Sequence, residues 1–381
     1  MKVMTILGTR PEIIRLSRVM ATLDQLVDHK IVHTGQNYDY ELNDIFFEEL
    51  SVRRPDHFLN VDTSSLGRCL GEILIKTEQV LLEERPDAVL VLGDTNSALA
   101  TLMAKRMKIP TYHMEAGNRC FDANVPEEIN RKMVDHLADF NLVYTEHARR
   151  HLISEGLSHR FIYLTGSPMR EVLEHCREKI EASSVLEKLK LTKGQYFIVS
   201  VHREENVDSA DSLKKVVGCL DALYETWGYP VIVSTHPRTR KRLESSELIS
   251  EDSKIQFMKP FGFFEYNALQ LNAFCAISDS GTISEESSIL DFPAVTLRRS
   301  IERPEALDTG AVAMSGLDPE VLVDSVRIAT APRSVFSDSS REIPQEYCIS
   351  NTSERVVRLI TGTAKLTHHW RNMDNFSRYD W

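Results

Sequence analysis

The sequence predicts an α/β protein of two domains, each with a doubly wound parallel sheet. Short apolar runs alternate with longer helical patterns along the chain, and this rhythm restarts near residue 196. The length of 381 residues suits two domains at roughly 150 residues each. The apolar fraction of 42% and the charged fraction of 27% are those of an ordinary globular protein, so the disordered and fibrous classes are disfavoured.

The first half contains six apolar runs that predict strands, and the stretches between them carry helical patterns. The predicted strands are 2–7, 30–33, 88–92, 111–114, 141–144 and 161–164. The predicted helices are 10–27, 66–84, 97–107, 127–138 and 147–155. Because strands and helices alternate, this half should be a Rossmann-like domain.

The second half repeats the alternation. Its predicted strands are 196–201, 231–234, 255–257, 274–278 and 294–297. The polar stretch 171–194 is the predicted linker, which gives domains at 1–170 and 171–359, with the segment 360–381 expected to pack back on the first domain. The default ligand site is then a cleft between the two domains.

Composition restricts the partners and the compartment. Lys plus Arg (45) against Asp plus Glu (56) gives a net charge of −11, which disfavours binding to nucleic acid or to an anionic membrane. The first apolar run breaks at Gly8, and no stretch approaches the roughly 20 apolar residues of a membrane span. The six scattered cysteines and the absence of metal-ligand spacing predict a cytoplasmic protein without a metal.

Candidate site residues are sought where parallel strands end, since ligands bind beyond the carboxyl ends of such strands. Two carboxylates, Asp94 and Glu115, follow consecutive predicted strands. If these strands pair, they lie about 4.8 Å apart and both carboxylates face one pocket. Two close carboxylates provide a proton donor beside a proton acceptor. Alternatively, Asp94 caps the following helix.

Two further groups extend the candidate site. Glu127 begins a predicted helix just after the Glu115 loop, although acids at a helix start are common for structural reasons. Arg10 begins the first helix, where a guanidinium and free N–H groups hold an anion. This first turn lacks the G-x-G-x-x-G pattern, so bound NAD is disfavoured and no cofactor is expected.

The second half offers an anion-binding pattern of its own. His202 ends a strand, and Ser280-Gly281-Thr282 joins a strand to a helix, a turn that suits a diphosphate. Glu286 is placed to accept ribose hydroxyls, and Arg303 follows a later strand. An ordinary turn, a structural histidine and a solvated helix face are the alternatives for these residues.

These motifs together resemble one family over nearly the whole chain. The motifs are Gly8-Thr9-Arg10-Pro11-Glu12, Gly93-Asp94-Thr95, Glu115-Ala116-Gly117, Pro126-Glu127-Glu128-Ile129-Asn130-Arg131, His202-Arg203, Asp279-Ser280-Gly281 and Glu302-Arg303-Pro304-Glu305. In this order they resemble the non-hydrolysing UDP-N-acetylglucosamine 2-epimerases. The resemblance implies a GT-B-like pair of domains, a homodimer, and elimination and re-addition of UDP through a glycal without nicotinamide or metal.

The resemblance also implies residue roles. Asp94, Glu115 and Glu127 match proton transfer, with Arg15 and His202 grouped with them; Arg15 stands where the family often has lysine. Arg10 and His202 match contacts to UDP and its diphosphate. The remaining matches to uridine, phosphate and ribose contacts are Tyr266, Ser280, Gly281, Thr282, Glu286 and Arg303.

A narrower branch is indicated by the stretches 13–17, 34–40, 118–122 and 259–264. They are similar to capsule and O-antigen enzymes that convert UDP-2-acetamido-2,6-dideoxy-L-talose to UDP-N-acetyl-L-fucosamine. The Phe261–Phe264 cluster could line a 6-deoxy sugar, or serve core packing or a uracil contact. The alternatives are a UDP-N-acetylglucosamine/UDP-N-acetylmannosamine epimerase, a GT-B glycosyltransferase and an inactive UDP-sugar sensor.

Overall fold

The structure, a computed structural model, describes residues 1–35, 40–122, 124–201, 206, 209–235, 255–298, 302–332, 335 and 343–370. Its contacts divide the chain into two units. The first unit comprises Met1–His175 with Cys348–Trp381, the latter described as far as Trp370, and the second comprises Cys176–Tyr347. Each unit contains one parallel sheet, which confirms the predicted fold class.

The sheet of the first unit has seven strands in the order β3-β2-β1-β4-β5-β6-β7. The strands are β1 Lys2–Leu7, β2 Asp28–His33, β3 His57–Phe58, β4 Ala88–Leu92, β5 Thr111–Met114, β6 Phe140–Val143 and β7 Ile162–Leu164. All pair in parallel. Every residue of β4 is buried, as expected for a strand with helices on both faces of its sheet.

The helices of the first unit lie between these strands. They are α1 Arg10–Leu26, α2 Tyr40–Glu49, α3 Leu66–Glu84, α4 Thr101–Arg106, α5 Pro126–Leu137 and α6 Glu146–Ser154, followed by α7 Met169–Glu181, which carries the chain into the second unit. The start of α3 is fixed by Ser65, whose hydroxyl accepts the N–H of Arg68. Apolar residues of α3, such as Ile73, pack on β1 and β4. Each such buried side chain contributes about 1.5–3 kcal/mol.

The sheet of the second unit has six strands in the order β10-β9-β8-β11-β12-β13. The strands are β8 Phe197–Ser200, β9 Val231–Ser234, β10 Ile255–Met258, β11 Cys275–Ser278, β12 Ala294–Thr296 and β13 Ala313–Met314. The helices are α8 Val185–Lys188, α9 Ala210–Trp227, α10 Phe263–Asn272, α11 Ile283–Leu290, α12 Glu305–Asp308 and α13 Pro319–Ala329. In this unit α9 and α13 pack together beside the sheet.

The chain returns to the first unit at Cys348, earlier than the predicted position 360. The reason is α14 Thr352–Thr363, which packs on α1 and is followed by α15 Thr367–Trp370. The hydroxyl of Thr352 donates to the carbonyl oxygens of Thr165 and Ser167 at 3.1 and 3.2 Å. The whole of α14 is therefore anchored to the first unit. No helix within the described ranges has the length and apolar character needed to cross a membrane.

Candidate active site

The topological switch point of the first sheet lies between β1 and β4. The strand order runs from β1 to β2 and β3 on one side, and from β4 to β7 on the other. Ligands of open parallel sheets bind at the carboxyl edge beside such a point. Arg10 follows the loop after β1, and Asp94 lies in the loop after β4. The predicted residues of the first half therefore lie around the expected binding position.

The strands that precede Asp94 and Glu115 are direct neighbours, so the predicted pairing is confirmed. Leu92 is in register with Met114, and the N–H of Gly93 donates to the Met114 carbonyl at 2.9 Å. A methyl group placed on Gly93 would lie 3.8 Å from Oε2 of Glu115. Asp94 and Glu115 therefore lie at the same edge of the sheet, each just after one of two neighbouring strands.

Asp94 is held by α5. Its Oδ2 accepts hydrogen bonds from Nε and Nη2 of Arg131, both at 2.7 Å, and its carbonyl accepts the Asn130 amide at 2.9 Å. The following 3₁₀ helix, Asn96–Ala100, has Thr95 at its N-cap and no side-chain cap bond. The alternative that Asp94 caps this helix is therefore wrong. Its carboxylate is instead fixed beside a buried arginine.

Glu115 has a strained backbone and a charged neighbour. Its φ of 63° lies in the left-handed region, a conformation that costs of order 1–3 kcal/mol in a residue other than glycine. Its Oε2 lies 3.4 Å from Nη1 of Arg15, and Oε1 accepts the Asn118 amide at 3.2 Å. The Arg15 guanidinium also lies 5.7 Å from the ring centroid of Tyr144. The predicted residue Arg15 is therefore brought to the predicted carboxylate Glu115.

Glu127 occupies the first turn of α5 and is half-buried. It precedes Asn130 by three residues and Arg131 by four, so it shares a helix face with the residues that hold Asp94. Among the described residues its carboxylate has no hydrogen-bond or ion-pair partner. Glu127 is thus free to meet a ligand or water on the same side of α5 as Asp94.

The next residue, Glu128, is buried and supports the Asp94 contact. Burial raises the pKa of its carboxyl group, but hydrogen bonds from Cys120 and the charge of Arg131 bring that pKa below its ordinary value. Its Oε2 lies 3.0 Å from Nη1 of Arg131. Arg131 therefore lies between two carboxylates, and turning away from Asp94 would also break its contact to Glu128.

Glu12 links the loops after β1 and β4. Its Oε2 accepts the N–H of Gly8 at 3.1 Å and the hydroxyls of Thr9 and Thr95 at 2.6 and 3.2 Å, and its Oε1 accepts the hydroxyl of Ser97. The residue is 1% exposed. Burial raises the pKa of Glu12 to about 7, and the four donors oppose that rise. This carboxyl group holds together the loops that bear Arg10 and Asp94.

Arg10 is the first residue of α1, as its predicted role requires. Its guanidinium lies 5.3 Å from the ring centroid of Phe46, and the residue is half-buried. The N-terminus of a helix attracts anions through its free N–H groups. The structure therefore puts a cation and a helix start together at the carboxyl end of β1.

The second unit holds a separate cluster after β11, which borders the switch point of its own sheet, between β8 and β11. The hydroxyls of Ser280 and Thr282 lie 2.9 Å apart, and the N–H of Thr282 donates to Ser280 Oγ at 3.3 Å. A methyl group on Gly281 would lie 3.7 Å from Nε of Arg303. The turn and Arg303 are thus adjacent, with hydroxyls and a guanidinium in one place.

Buried charges support this turn from behind. Arg303 pairs with Glu285, and Arg298 Nη2 lies 2.8 Å from Glu302 Oε1. Glu286 is 7% exposed, and its Oε2 accepts the amide of Gln270 at 2.8 Å. The solvated-face alternative for Glu286 is therefore wrong.

Tyr266 and His202 complete the predicted set in this unit. Tyr266 is half-buried in α10, and burial together with the charge of Glu286 raises the pKa of its phenol. His202 lies outside the described residues, so its role stays a prediction. Within the described ranges, no group of three or more His, Cys, Asp or Glu side chains is arranged to hold a metal ion.

Comparison with known proteins decides the family. The family model described as UDP-N-acetylglucosamine 2-epimerase matches residues 21–361, most of the chain. The chain belongs to the UDP-N-acetylglucosamine 2-epimerase family. It is accordingly a UDP-sugar 2-epimerase of this family.

Solved structures of this family have the same fold. A UDP-N-acetylglucosamine 2-epimerase from Rickettsia bellii is 44% identical with a TM-score of 0.90, over 97% of this chain and 98% of that one. The Methanocaldococcus jannaschii UDP-GlcNAc 2-epimerase in complex with UDP-GlcNAc and UDP is 36% identical with a TM-score of 0.87, over 95% of this chain and 100% of that one.

Relatives in the family differ in their sugars, and the fold extends beyond it. A Pseudomonas aeruginosa UDP-2,3-diacetamido-2,3-dideoxy-D-glucuronate 2-epimerase is 33% identical over 86% of this chain and 92% of its own length. A Phytolacca americana structure complexed with UDP-2-fluoro-glucose and pterostilbene shares the GT-B-like fold alone, at 11% identity, a TM-score of 0.59 and coverage of 96% and 98%. Membership of the family therefore does not by itself assign the sugar.

Sequence reasoning did not assign a site role to Arg131 or Glu12, although both lie within motifs typical of the epimerase family. Arg131 contacts Asp94 because α5 packs against the 3₁₀ helix Asn96–Ala100 that follows β4. Glu12 contacts Thr95 because β1 and β4 are neighbours across the switch point. The sequence offers one signal for a site role: both are charged residues inside the motifs shared with the family.

Proposed function

We propose that the chain inverts carbon 2 of UDP-2-acetamido-2,6-dideoxy-L-talose, giving UDP-N-acetyl-L-fucosamine for a capsule or O-antigen precursor. UDP-N-acetylglucosamine/UDP-N-acetylmannosamine interconversion is the second candidate. The observation that carries the proposal is the set of carboxylates Asp94, Glu115 and Glu127 around one sheet edge, with Arg15 against Glu115.

The chemistry needs two proton-transferring groups. The proton on carbon 2 becomes acidic only as the bond between carbon 1 and the UDP oxygen breaks. A base takes this proton, the electron pair of the C–H bond forms the C1–C2 double bond, and UDP leaves with the pair of the C–O bond. A proton then returns to the opposite face of carbon 2 as UDP adds back to carbon 1. Positioned carboxyl groups are suited to both transfers.

The surroundings of the three carboxylates support different tasks. Asp94 accepts two hydrogen bonds from the Arg131 guanidinium, which fix the orientation of its carboxylate for proton transfer. Glu115 is adjacent to the Arg15 cation and 15% exposed, so it is shielded from solvent. Glu127 is half-buried and has no partner among the described residues, so its carboxyl group is open to a substrate or to water. Arg10 and the Ser280 turn of the second unit are the proposed contacts to UDP.

The choice of sugar rests on contacts to Glu115. Arg15 and Asn118 belong to two of the stretches that resemble the 6-deoxy-L-sugar branch, and both contact the Glu115 carboxylate. Two residues from these branch-like stretches therefore contact Glu115, a proposed proton-transfer group. The aromatic cluster gives less support: Phe263 is 5% exposed and serves the core, while Phe264 lies against Lys179.

The test is exchange at carbon 2 in deuterated water. The protein is incubated separately with UDP-2-acetamido-2,6-dideoxy-L-talose and with UDP-N-acetylglucosamine, and carbon 2 is followed by NMR. We expect deuterium to enter with epimer formation, faster by at least about tenfold for the 6-deoxy sugar, a difference of roughly 1.4 kcal/mol in transition-state binding. Faster exchange of UDP-N-acetylglucosamine would transfer the assignment to the second candidate. Accumulation of UDP and free sugar, or no label in either substrate, would contradict the proposal.

We propose further that the protein works as a cytoplasmic homodimer. The support is the family resemblance of the sequence. Light scattering on the eluting protein should give twice the chain mass of 43.4 kDa, and the monomer mass would contradict the dimer.

A further inference from the structure

A buried carboxylate behind the candidate site, Asp135, has no part in the proposed chemistry. It lies in α5 and is 0% exposed. The N–H of Gly117 donates to both of its oxygens at 3.2 Å, and Nη1 of Arg119 donates to Oδ2 at 2.7 Å. Its Oδ1 lies 2.9 Å from Nδ1 of His113. Asp135 therefore gathers three groups from β5 and the loop that follows it.

His113 connects this carboxylate to the loop that bears Asp94. The ring is buried in β5, and its Nε2 lies 2.7 Å from the carbonyl oxygen of Gly93, the residue before Asp94. A carbonyl oxygen can only accept, so Nε2 carries a hydrogen. On the other side Nδ1 faces Asp135, which the Arg119 cation and the Gly117 N–H keep as an acceptor. Both ring nitrogens therefore face acceptors, an arrangement that favours a hydrogen on each of them.

The cluster offers a counter-charge to a doubly protonated His113. Two carboxylates, Asp135 and Glu155, face Arg119 and His113. Nε and Nη2 of Arg119 each donate to a different oxygen of Glu155 at 2.7 Å. His136, on the exposed side, lies 3.2 Å from Glu155. A buried charge is retained only when it is paired in this way, so the cluster satisfies the condition for a buried imidazolium.

The backbone next to this cluster adopts left-handed dihedral angles at three residues. Gly93 and Gly117 have φ values of 71° and 81°, and Glu115 between them in the chain has 63°. A methyl group on Gly117 would lie 2.4 Å from the carbonyl oxygen of Ala148, so this loop is also pressed against α6. The hydrogen bond from Gly117 lies two residues from Glu115, and the hydrogen bond to Gly93 lies one residue from Asp94.

We propose that His113 and Asp135 form a buried imidazolium–carboxylate pair that positions Asp94 and Glu115 relative to each other for proton transfer. Both are positioning residues, since neither takes part in the proposed contacts to the sugar or to UDP. This inference rests on the proposed function for its kinetic consequence, whereas the charge state of the pair is independent of it. The pair fixes the distance between the loop that bears Asp94 and the loop that bears Glu115. Proton transfer by two carboxylates depends on that distance.

The perturbing variant is Asp135→Asn, and the matched control is Asp139→Asn. Asp139 is also buried in the first unit, where its Oδ2 accepts the N–H and hydroxyl of Thr111 at 3.0 and 3.1 Å. Thr111 begins β5, so this carboxylate supports the opposite end of the strand from Glu115. Both variants lose one buried negative charge, but only Asp135→Asn disturbs the loops after β4 and β5.

The kinetic measurement uses whichever UDP-sugar the unaltered protein turns over. We expect Asp135→Asn to lower kcat about 100-fold, the loss typical of a displacement near 1 Å, with KM nearly unchanged, and Asp139→Asn to leave kcat near its original value. His113→Gln places an amide donor near Nε2 and should retain more activity than His113→Asn, which cannot reach Gly93. Equal kcat losses in Asp135→Asn and Asp139→Asn would overturn the positioning role.

The spectroscopic measurement needs no turnover. The ¹⁵N signals of His113 are identified by their disappearance in His113→Gln. We expect two protonated ring nitrogens in the unaltered protein and one in Asp135→Asn. A single protonated nitrogen in the unaltered protein would overturn the imidazolium assignment. If no UDP-sugar shows exchange, the proposed function and the positioning role both fail, while these spectra still decide whether the ion pair exists.

Discussion

Replacing Glu12 with glutamine should remove a pH dependence from the stability of the first unit. Burial raises the pKa of Glu12 from an ordinary value of 4.5 to about 7. A pKa that is higher in the folded state means that the folded state favours the protonated carboxyl group. Its stabilising effect is fully present below about pH 4.5 and is lost as the pH rises through about 7. At about 1.36 kcal/mol for each step of one in pKa, the change amounts to about 3 kcal/mol.

The assay is urea unfolding of the first unit at several pH values. The chain has three tryptophans, Trp227, Trp370 and Trp381, so replacing the first and last with phenylalanine leaves Trp370, beside Phe140, as the reporter. Between about pH 4.5 and about pH 7, the unfolding free energy of the Glu12 protein should fall by about 3 kcal/mol relative to Glu12→Gln.

The control for this experiment is Glu83→Gln, which removes an exposed carboxylate from α3 in the same unit. A pH-dependent difference of the same size in Glu83→Gln would show that the effect follows from the loss of any carboxylate and not from the burial of Glu12. If the Glu12→Gln difference does not change with pH, Glu12 does not titrate in this range and the argument from its burial is refuted.

Three further substitutions test other parts of the account. Arg131→Gln removes two hydrogen bonds to Asp94 and should lower kcat about 100-fold with intact UDP affinity by calorimetry; an unchanged kcat would contradict the role of Arg131. Gly117→Ala forces a methyl group to 2.4 Å from a carbonyl oxygen of α6 at a left-handed residue, so thermal unfolding should show a loss of at least about 1–3 kcal/mol; an unchanged melting temperature would refute the contact. Tyr347→Phe removes the hydroxyl that donates to Glu305 at 2.5 Å and should cost the second unit about 1–3 kcal/mol in urea unfolding, where no change would show that water replaces the hydroxyl.

Much of the fold could be predicted because buried parallel strands are short and strongly apolar. The strands 2–7, 88–92, 111–114 and 231–234 were predicted with the bounds that the structure shows. The two-residue edge strands His57–Phe58 and Ala313–Met314 were not predicted, since two residues cannot display a period. The early return of the chain at Cys348 was missed because it depends on tertiary packing of α14 against α1.

The candidate site was predictable in its positions and less so in its contacts. Strand ends and motif order predicted Asp94, Glu115 and Glu127 as site residues, and the structure confirms that the strands before the first two are neighbours. The partner of Asp94 could not be predicted, because Arg131 lies 37 residues away in the chain and meets it only when α5 docks. The cap alternative was wrong for the same reason: a local pattern predicted a local contact, and the tertiary contact prevailed.

The most direct test of the central claim compares deuterium entry at carbon 2 in the unaltered protein and in Asp94→Asn, with UDP affinity measured on both. We expect Asp94→Asn to bind UDP as tightly as the unaltered protein and to lose exchange, because the amide cannot accept the carbon 2 proton. Exchange at the original rate would show that Asp94 takes no part in proton transfer. If Asp94→Asn loses both UDP binding and exchange, Asp94 is a structural residue and its role in proton transfer is contradicted.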